Sequence, residues 1–311
     1  MQLQIIKNSK KWVSISLIAI IISLITLFTK GLNYGIDFSG GNLFQLKFEK
    51  VLDIKEVNES LNKLAKNIEQ FSPNARKVQI SEGHDLFIRL QEITEEQKSE
   101  FYNTIKEVGK YEIIKEDKVG ASVGSELKKS AILSLLIGGA LIILYITLRF
   151  QFKFAIAAIF ALLNDILIAI GGIALLGYEI NTPFIAAVLT ILGYSINDTI
   201  VVFDRIRETL KRKSDSNFGE LLDKSINQVI TRSINTSVTT LLAIIAILVF
   251  GGDSLKTFIT TLLIGTVAGT YSSIFIATPL VYLFEKNRDG KIDTTKYVGK
   301  EESEDYEKIV V

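Results

Sequence analysis

The sequence from Pro183 to Phe203 reads PFIAAVLTILGYSINDTIVVF, which has the length and apolar character of a membrane-spanning helix. It nevertheless contains Asn197 and Asp198. An aspartate near the centre of such a helix costs about 2.5 to 3.5 kcal/mol on insertion scales, so it usually faces the protein interior and marks an ion or proton path. We therefore interpret Asp198 as functional, with a structural hydrogen bond between helices as the alternative.

The composition indicates a membrane protein with a polar insertion. The chain has 311 residues, of which 48% are hydrophobic and 22% are charged, and its net charge is +1. Charged residues are concentrated between residues 47 and 129 and after residue 204. A uniformly soluble protein rarely combines these properties. The nearly neutral charge gives no indication of a nucleic-acid partner.

Six stretches are long and apolar enough to cross a bilayer core of about 30 Å. The first is followed by no small-residue cleavage site, so we expect an uncleaved anchor. The predicted spans are Trp12 to Thr29, Ala131 to Leu148, Phe154 to Gly177, Pro183 to Phe203, Ile234 to Gly252 and Thr257 to Phe284. An even number of spans places both ends of this region on the same side of the membrane.

The distribution of lysine and arginine predicts the orientation, because these residues accumulate in cytoplasmic loops. They precede span one, lie between spans two and three, and are numerous between spans four and five. The connection from Gly177 to Pro183 contains none, and the connection from Gly251 to Lys256 contains only Lys256. We therefore expect both termini in the cytoplasm and the long segment after span one outside.

The outside segment alternates between strand and helix patterns. The predicted elements are a strand at Asn42 to Phe48, a helix at Ile54 to Phe71, strands at Lys77 to Ile80 and Leu86 to Leu90, a helix at Glu95 to Val108 and a strand at Tyr111 to Ile114. This β-α-β-β-α-β order predicts an external α+β domain with a ferredoxin-like fold. The fold class is therefore an α-helical polytopic membrane protein with six transmembrane helices and one such domain.

The remaining segments complete the predicted domain organisation. Residues 205–232 have apolar positions at helical spacing, which predicts a short amphipathic helix at the cytoplasmic membrane surface. We divide the chain into residues 1–30 (cytoplasmic N-terminus and span one), 31–128 (external domain), 129–204 (spans two to four), 205–232 (cytoplasmic amphipathic segment), 233–285 (spans five and six) and 286–311 (charged, disordered cytoplasmic tail).

Span three contains a second Asn-Asp pair, Asn164 and Asp165. Asp165 carries the same insertion cost as Asp198, so its presence calls for a role. Asn164, Asp165 and Asn197 are candidates either for a relay or for polar pairs that hold helices together. The two carboxylates need not touch, because they lie at different depths in their helices.

A buried carboxylate needs either a proton or a cation, and two arginines are candidates for the cation. Arg232 directly precedes span five, at the edge where span four ends. Arg205 follows Asp198 by two helical turns and lies on the same face. Ordinary cytoplasmic loop charge is the alternative for both arginines.

The segment from Gly35 to Gly41 is rich in glycine, with Asp37 between Gly35 and the pair Gly40 and Gly41. No phosphate-binding lysine or strand-to-helix context accompanies it, so we reject a nucleotide site. Glycines that permit positive φ at a sharp exit from a membrane helix explain the motif. With one histidine, His84, and no cysteine, we expect no metal site and no cofactor.

The segment GYSINDTIVVFDRIRE, from Gly193 to Glu208, resembles the signature of the SecF family, the smaller half of the bacterial SecDF protein-export factor. The segment from Gly35 to Gly41 is similar to the family's first-span exit motif. Val119 to Leu127 resembles the approach to span two, and Thr231 to Ser237 resembles the start of span five. The resemblance covers nearly all of residues 12–285.

The resemblance implies half of a twelve-span transporter of the resistance-nodulation-division type, in the bacterial inner (cytoplasmic) membrane. It implies SecD, the SecYEG translocon and exported preprotein as partners, names YajC as a further candidate, and implies use of the proton-motive force for export. Asp198 and Arg232 fall on the family's proton-relay positions. Asn164 stands where we expect a histidine, so no imidazole is available to titrate beside Asp165.

Two other function classes remain as alternatives. The chain could be a passive scaffold that stabilises the translocon, or half of a small-molecule proton antiporter. Antiporters of this superfamily carry larger external domains and usually both halves in one chain, whereas the external segment here has under 100 residues, from 31 to 128. We expect no enzymatic activity, because no nucleophile, base and metal set converges on one segment.

Overall fold

The computed structural model describes residues 3–81, 83–212 and 217–285, apart from the side chain of Arg212. The helices are α1 Ser9–Thr29, α2 Ile36–Ser39, α3 Ile54–Ala65, α4 Glu95–Lys106, α5 Ala121–Arg149, α6 Phe152–Leu176, α7 Thr182–Arg212, α8 Phe218–Phe250, α9 Lys256–Ser272 and α10 Thr278–Glu285. The strands are β1 Asn33–Tyr34, β2 Gly41–Phe48, β3 Arg76–Ser81, β4 Asp85–Leu90, β5 Tyr111–Val119 and β6 Glu179–Ile180. The tail predicted at residues 286–311 lies outside the described residues.

The chain forms two compact units. One comprises residues 1–33, 135–179 and 183–311, and the other comprises residues 34–134 and 180–182. The described helices include six segments that are long and apolar enough to cross a membrane, and these are α1, α5, α6, α7, α8 and the segment Asp253–Glu285. Each predicted span overlaps one of these segments, so the prediction of six helices with the length and apolar character of membrane spans is confirmed.

The interior of the first unit depends on small side chains along α6. Ala155, Ala157, Ala158 and Ala161 are all buried, and α6 packs against α1 and α9. Small residues let helix backbones approach closely, which is how membrane helices gain packing contacts in the absence of a hydrophobic driving force. Larger rings, including those of Phe154 and Phe203 at a centroid distance of 5.1 Å, fill one end of this core.

The prediction of a separate amphipathic helix within residues 205–232 is wrong. The described residues on either side of 213–216 belong to α7 and α8, two long helices that also contain spans four and five. The helical spacing was read correctly, because Phe218, Leu222 and Ile226 are buried in the core of the same unit. Charged residues lower the local hydropathy of α8 but do not end the helix. Its apolar face packs against other parts of the same chain rather than against a lipid surface.

The second unit contains a four-stranded antiparallel sheet with the strand order β3-β4-β2-β5. Its elements follow the predicted order, with α3 after β2 and α4 after β4. Phe44 and Leu46 on β2 are buried at alternate positions, as are Leu86 and Ile88 on β4. Alternation places these side chains on one face of the sheet, where they join the apolar faces of α3 and α4.

Among the elements of this β-α-β-β-α-β order, two boundaries differ by five residues or more from the predicted ones, for identifiable reasons. The α-helix predicted to reach Phe71 ends at Ala65 and is followed by a short 3₁₀ turn, Glu69–Phe71. The strand predicted to end at Ile114 continues to Val119, because β5 pairs with β2 along its whole length, with an irregularity between Gln45 and Leu46. Edge pairing of this kind leaves no clear period in the sequence, since most β5 side chains are exposed.

The glycine motif forms a tight exit into β2. Gly40 and Gly41 have φ angles of 74° and 118°, whereas Gly35 has an ordinary φ of −76°. A side chain at Gly41 would overlap the carbonyl oxygen of Leu90 on the neighbouring strand. The prediction of positive φ is therefore confirmed for Gly40 and Gly41 only.

Within the same unit, Asp37 Oδ2 accepts a hydrogen bond of 2.8 Å from the backbone N–H of Thr182.

Candidate functional site

Asp198 lies in the interior of the helical unit. It is on α7 and only 5% exposed. Its Oδ2 atom is buried and has no hydrogen-bond partner among the described residues. Buried polar groups are almost always hydrogen-bonded, and an unpaired one often indicates a functional atom. The structure thus places an unsatisfied carboxylate oxygen at the position that the sequence singled out.

Two groups on α8 act on Asp198. Arg232 interacts with it electrostatically, and Ser237 supplies a hydroxyl beside it. Ser237 is itself buried, with its Oγ 2.6 Å from Thr270 Oγ1 on α9. Arg232 is exposed, and among the described residues it makes no ion pair with Asp198. Asp198 and Arg232, which were predicted to pair, therefore interact electrostatically but form no ion pair in the described part of the chain.

Arg205, the second candidate cation, is engaged elsewhere. Its Nε donates a hydrogen bond of 2.7 Å to Gln228 Oε1, and its guanidinium pairs with Glu208. These groups line a cavity of about 450 Å³ whose wall also includes Arg232. Since Arg205 already has partners of its own, Arg232 remains the better candidate for the cation that meets Asp198.

Asp165 has a contrasting environment, because its two oxygens accept three hydrogen bonds. Ser195 Oγ donates to Oδ2 at 2.5 Å and Ser272 Oγ at 2.8 Å, while Asn164 Nδ2 donates to Oδ1 at 2.9 Å. Asn164 in turn accepts a hydrogen bond from Ser16 on α1. Four helices, α1, α6, α7 and α9, therefore meet at one buried polar network.

A close approach of α9 to α7 makes this network possible. A side chain at Gly269 would come within 2.9 Å of Ser195 Cβ, so only glycine fits there without movement. Ser273 follows, and its Oγ lies 2.8 Å from Thr199 Oγ1 on α7. A π-helical turn, Ser273–Ala277, begins at this point. Such turns occur mostly as single insertions in helices, often at functional sites.

The remaining predicted site residues do not join Asp198. Asn197 is exposed on α7. Gly35, Asp37, Gly40 and Gly41 belong to the other unit. Across residues 3–81, 83–212 and 217–285, no cluster of three or more histidine or acidic residues could hold a metal ion.

Sequence reasoning missed the serines that complete the site. Ser16, Ser195, Ser272 and Ser237 are all buried, and they contact Asn164, Asp165 or Asp198. Serine is common in membrane helices, where it often bonds only to its own backbone, so it gives a weak signal. Ser195 could have been noticed because it lies one helical turn before Asp198.

The fold and the site define a polytopic membrane protein with buried carboxylates in its helical bundle and an α+β unit inserted after its first span. The model of the SecD/SecF C-terminal protein-export membrane domain matches residues 100–287, and the model of the SecD/SecF GG motif matches residues 25–50. The chain belongs to the SecF family of protein translocase subunits.

Individual relatives agree with this assignment. Protein translocase subunit SecF of Sebaldella termitidis is 48% identical over 288 residues, which cover 92% of this chain and 93% of the relative. SecF of Calditerrivibrio nitroreducens is 39% identical, with coverage of 92% of this chain and 98% of the relative. Both alignments span nearly the whole of each protein, so the family covers both units.

Solved structures of SecDF share the fold. The crystal structure of SecDF from Thermus thermophilus, a translocon-associated membrane protein, superimposes with a TM-score of 0.83 at 34% identity and covers 91% of this chain. This chain spans 39% of the length of that SecDF chain. A second SecDF structure, in a super-membrane-facing form, gives a TM-score of 0.67 at 33% identity.

Proposed function

We propose that this chain acts with SecD as the SecF subunit of an accessory complex of the Sec translocon in the bacterial inner membrane. In this proposal the complex uses the proton-motive force to promote export of preproteins after ATP-driven translocation. SecYEG and the exported preprotein are its working partners, and YajC is a further candidate. The chain itself has no enzymatic activity. Family membership supports the general role, and the environment of Asp198 supports the coupling.

One observation carries the proposed mechanism: a buried oxygen of Asp198 has no hydrogen-bond partner in the described part of the chain, and Arg232 interacts with Asp198 electrostatically without forming an ion pair there. An ionised carboxylate inside a bilayer requires a cation, whereas a protonated one does not. Asp198 therefore alternates between a protonated state with Arg232 apart and an ionised state paired with Arg232. The exchange moves α8 relative to α7. One charge crossing the field yields roughly 2.3 kcal/mol per 100 mV, so repeated cycles are needed.

We assign Asn164 and Asp165 a structural role. Three neutral donors already occupy the oxygens of Asp165, and they come from three different helices. Protonation of Asp165 would weaken these bonds, because a neutral carboxyl group is a poorer hydrogen-bond acceptor than an ionised one. The pair holds the bundle around Asp198 in place.

The exposed face of α7 supports SecD as the membrane partner. Lipid-facing helices are expected to carry large apolar side chains, as α5 does at Leu141. Along the described part of α7, no large hydrophobic side chain is exposed. The exposed positions of α7 between Ala186 and Asn197 are instead small or polar, and they are Ala186, Thr190, Gly193 and Asn197. Small and polar faces pack against other helices.

The proposal includes a topology and a domain organisation. Residues 31–128 form an external domain of the ferredoxin-like kind, to which the strand order β3-β4-β2-β5 lends support. Residues 1–30, 129–204 and 233–285 carry the spans, residues 205–232 are cytoplasmic, and so is the tail at 286–311. Both termini are cytoplasmic, on the grounds of the basic loops.

Preprotein release from vesicles tests the proposal. Vesicles that contain the translocon, SecD and this chain are depleted of ATP after translocation begins, and release is then driven by a proton gradient. We expect Asp198→Asn to abolish the gradient-dependent release. Asp204→Asn is the matched control, because it makes the same change on the same helix at a half-buried aspartate that pairs with Arg149.

The two rival functions give different results in the same vesicles. A passive scaffold would release preprotein equally well with Asp198→Asn. A small-molecule antiporter would lose gradient-driven dye efflux on that substitution, while preprotein release would stay at its wild-type rate. Full gradient-dependent release by Asp198→Asn would therefore contradict the coupling role.

A further inference from the structure

The segment Leu3–Ile6, which precedes α1, is bound to the first turns of α8. The backbone N–H groups of Ile5 and Ile6 both donate to Asp223 Oδ1, at 2.8 and 2.9 Å. Asn227, one turn further along α8, accepts a hydrogen bond of 2.9 Å from Leu3 N–H and donates one of 2.9 Å to Leu3 O. We call Leu3–Ile6 the strap.

Apolar contacts hold the strap as well. Ile5 is 1% exposed and Ile6 is 8% exposed, and both belong to the core that contains Phe218 and Leu222. A Cβ atom at Gly219, in the first turn of α8, would lie 3.3 Å from Ile6 Cγ2, so a glycine there leaves room for the strap. The strap is thus a packed and hydrogen-bonded part of the helical unit.

The same helix carries Arg232. Asp223 and Asn227 precede Arg232 by nine and five residues within the continuous helix Phe218–Phe250. At a rise of 1.5 Å per residue, Asp223 is roughly 13 to 14 Å from Arg232 along the helix axis. A helix transmits a displacement of its end over this distance. Contacts that fix the start of α8 therefore also fix the position of Arg232 along the helix axis and its orientation about that axis.

We propose that Asp223 and Asn227 are positioning residues, which hold the strap on α8 and thereby set the position of Arg232 relative to Asp198. This inference rests on the proposed proton-relay function. The strap joins α1 to α8, and α1 is also tied through Ser16 to Asn164 on α6. Asp223 and Asn227 therefore fix the position of Arg232 relative to the helices that surround Asp198.

The contact chemistry predicts which substitutions preserve the strap. Asp223 acts as an acceptor, so Asp223→Asn keeps a carbonyl oxygen for Ile5 and Ile6 while it removes the charge. Asp223→Ala leaves the two backbone N–H groups without their acceptor. Asn227 needs both its oxygen and its NH₂ group, so Asn227→Ala loses both bonds with Leu3. Lys224→Ala is the matched control, because Lys224 is exposed on the adjacent position of α8.

Gradient-driven preprotein release from vesicles with the full chain and SecD provides the readout. We expect Asp223→Ala and Asn227→Ala to slow release about tenfold, since the partly buried N–H groups of Ile5 and Ile6 lose their acceptor in the first variant and Leu3 loses both of its hydrogen bonds in the second. Asp223→Asn and Lys224→Ala should stay within about twofold of the wild-type rate. Rescue by the conservative asparagine separates the acceptor role from a role of charge.

A cross-link separates positioning from general loss of structure. The chain contains no cysteine, so Leu3→Cys and Asn227→Cys can be bridged by a short thiol-specific cross-linker without side reactions within it. We expect this bridge to restore release in a chain that also carries Asp223→Ala, and the same chain without cross-linker to remain slow.

The outcomes distinguish this inference from the function on which it rests. Wild-type release by Asp223→Ala, with Asp198→Asn inactive, would overturn the strap inference and leave the relay intact. Failure of the bridged chain to recover, although it co-purifies with SecD, would also overturn the inference. Full activity of Asp198→Asn would refute the relay whatever the strap variants do.

Discussion

Ser195, which lies one helical turn before Asp198 on α7, donates a hydrogen bond of 2.5 Å to Asp165 on α6. Asp165 therefore bonds to the helix that carries Asp198, but the two buried aspartates differ in their hydrogen bonding. Asp165 has donors for both oxygens, whereas one oxygen of Asp198 has none among the described residues. In the proposed function, this difference separates Asp165, which holds the bundle together, from Asp198, which exchanges protons.

Removal of the donors to Asp165 should weaken the bundle without stopping proton coupling. Hydrogen bonds between membrane helices contribute on average about 0.6 kcal/mol and at most about 1.7 kcal/mol in double-mutant cycles. We expect Ser195→Ala and Ser272→Ala each to lower the free energy of unfolding by about 0.5 to 1.7 kcal/mol. Denaturant unfolding in detergent measures the change.

Ser134→Ala is the control for these variants, because Ser134 is exposed and bonds only to the backbone of its own helix at Ser130. It should leave the unfolding free energy unchanged within error. A Ser195→Ala variant of wild-type stability, or one that has lost gradient-driven release altogether, would contradict the structural role of Asp165.

A large side chain on the exposed face of α7 should impair assembly with SecD. Gly193 lies on that face, and apart from the adjacent residues and backbone of its own helix no described atom lies within 4 Å of a Cβ built there. Gly193→Leu is therefore tolerated by this chain itself but blocks close approach of a partner helix. Co-purification from native membranes should fall at least about tenfold, whereas Leu141→Ala on exposed α5 should have no effect. Normal recovery of SecD with Gly193→Leu would place the interface elsewhere.

The α+β unit should show an acid-dependent loss of stability at Glu116. Burial raises the pKa of Glu116, but hydrogen bonds from Lys98 and Tyr102, together with the charge of Lys98, outweigh it and hold the pKa below its usual value. A carboxyl group with a lowered folded-state pKa stabilises the fold above its unfolded pKa of about 4.3. That contribution is lost as the pH falls through the folded-state value.

Hydrogen exchange of β5 amides between pH 7 and pH 3 measures this effect. Because the Lys98–Glu116 pair is partly solvated, with side-chain exposures of 23% and 32%, we expect a contribution under about 1 kcal/mol. Glu116→Gln should flatten the pH dependence, and Glu112→Gln on the same strand should not. An unchanged profile in Glu116→Gln would show that the contacts with Lys98 and Tyr102 add no stability.

Local periodicity predicted most of the architecture. The six spans follow from the length of their apolar runs. The β-α-β-β-α-β order follows from the spacing of residues such as Phe44 and Leu46, whose burial depends on short-range alternation. The continuity of α8 was missed because Lys224 and Arg232 lower its local hydropathy, although neither residue ends a helix.

Long-range contacts explain what the sequence could not reveal about the site. Asp198 was identified because a charge in an apolar span is conspicuous by itself. The serine partners of Asp165 were not identified, since Ser195 and Ser272 are 30 and 107 positions away from it and these contacts depend on how the helices pack. The strap on Asp223 was missed for the same reason, as Ile5 and Asp223 are 218 positions apart.

Proton movement coupled to preprotein release tests the role of Asp198 most directly. Vesicles with a pH-sensitive dye inside report proton flux and release together, in the wild-type chain, in Asp198→Asn and in the control Asp204→Asn. We predict that Asp198→Asn loses both the release-coupled proton flux and gradient-driven release, while Asp204→Asn keeps both. Undiminished proton flux coupled to release in Asp198→Asn would contradict the assignment of Asp198 as the proton-carrying residue.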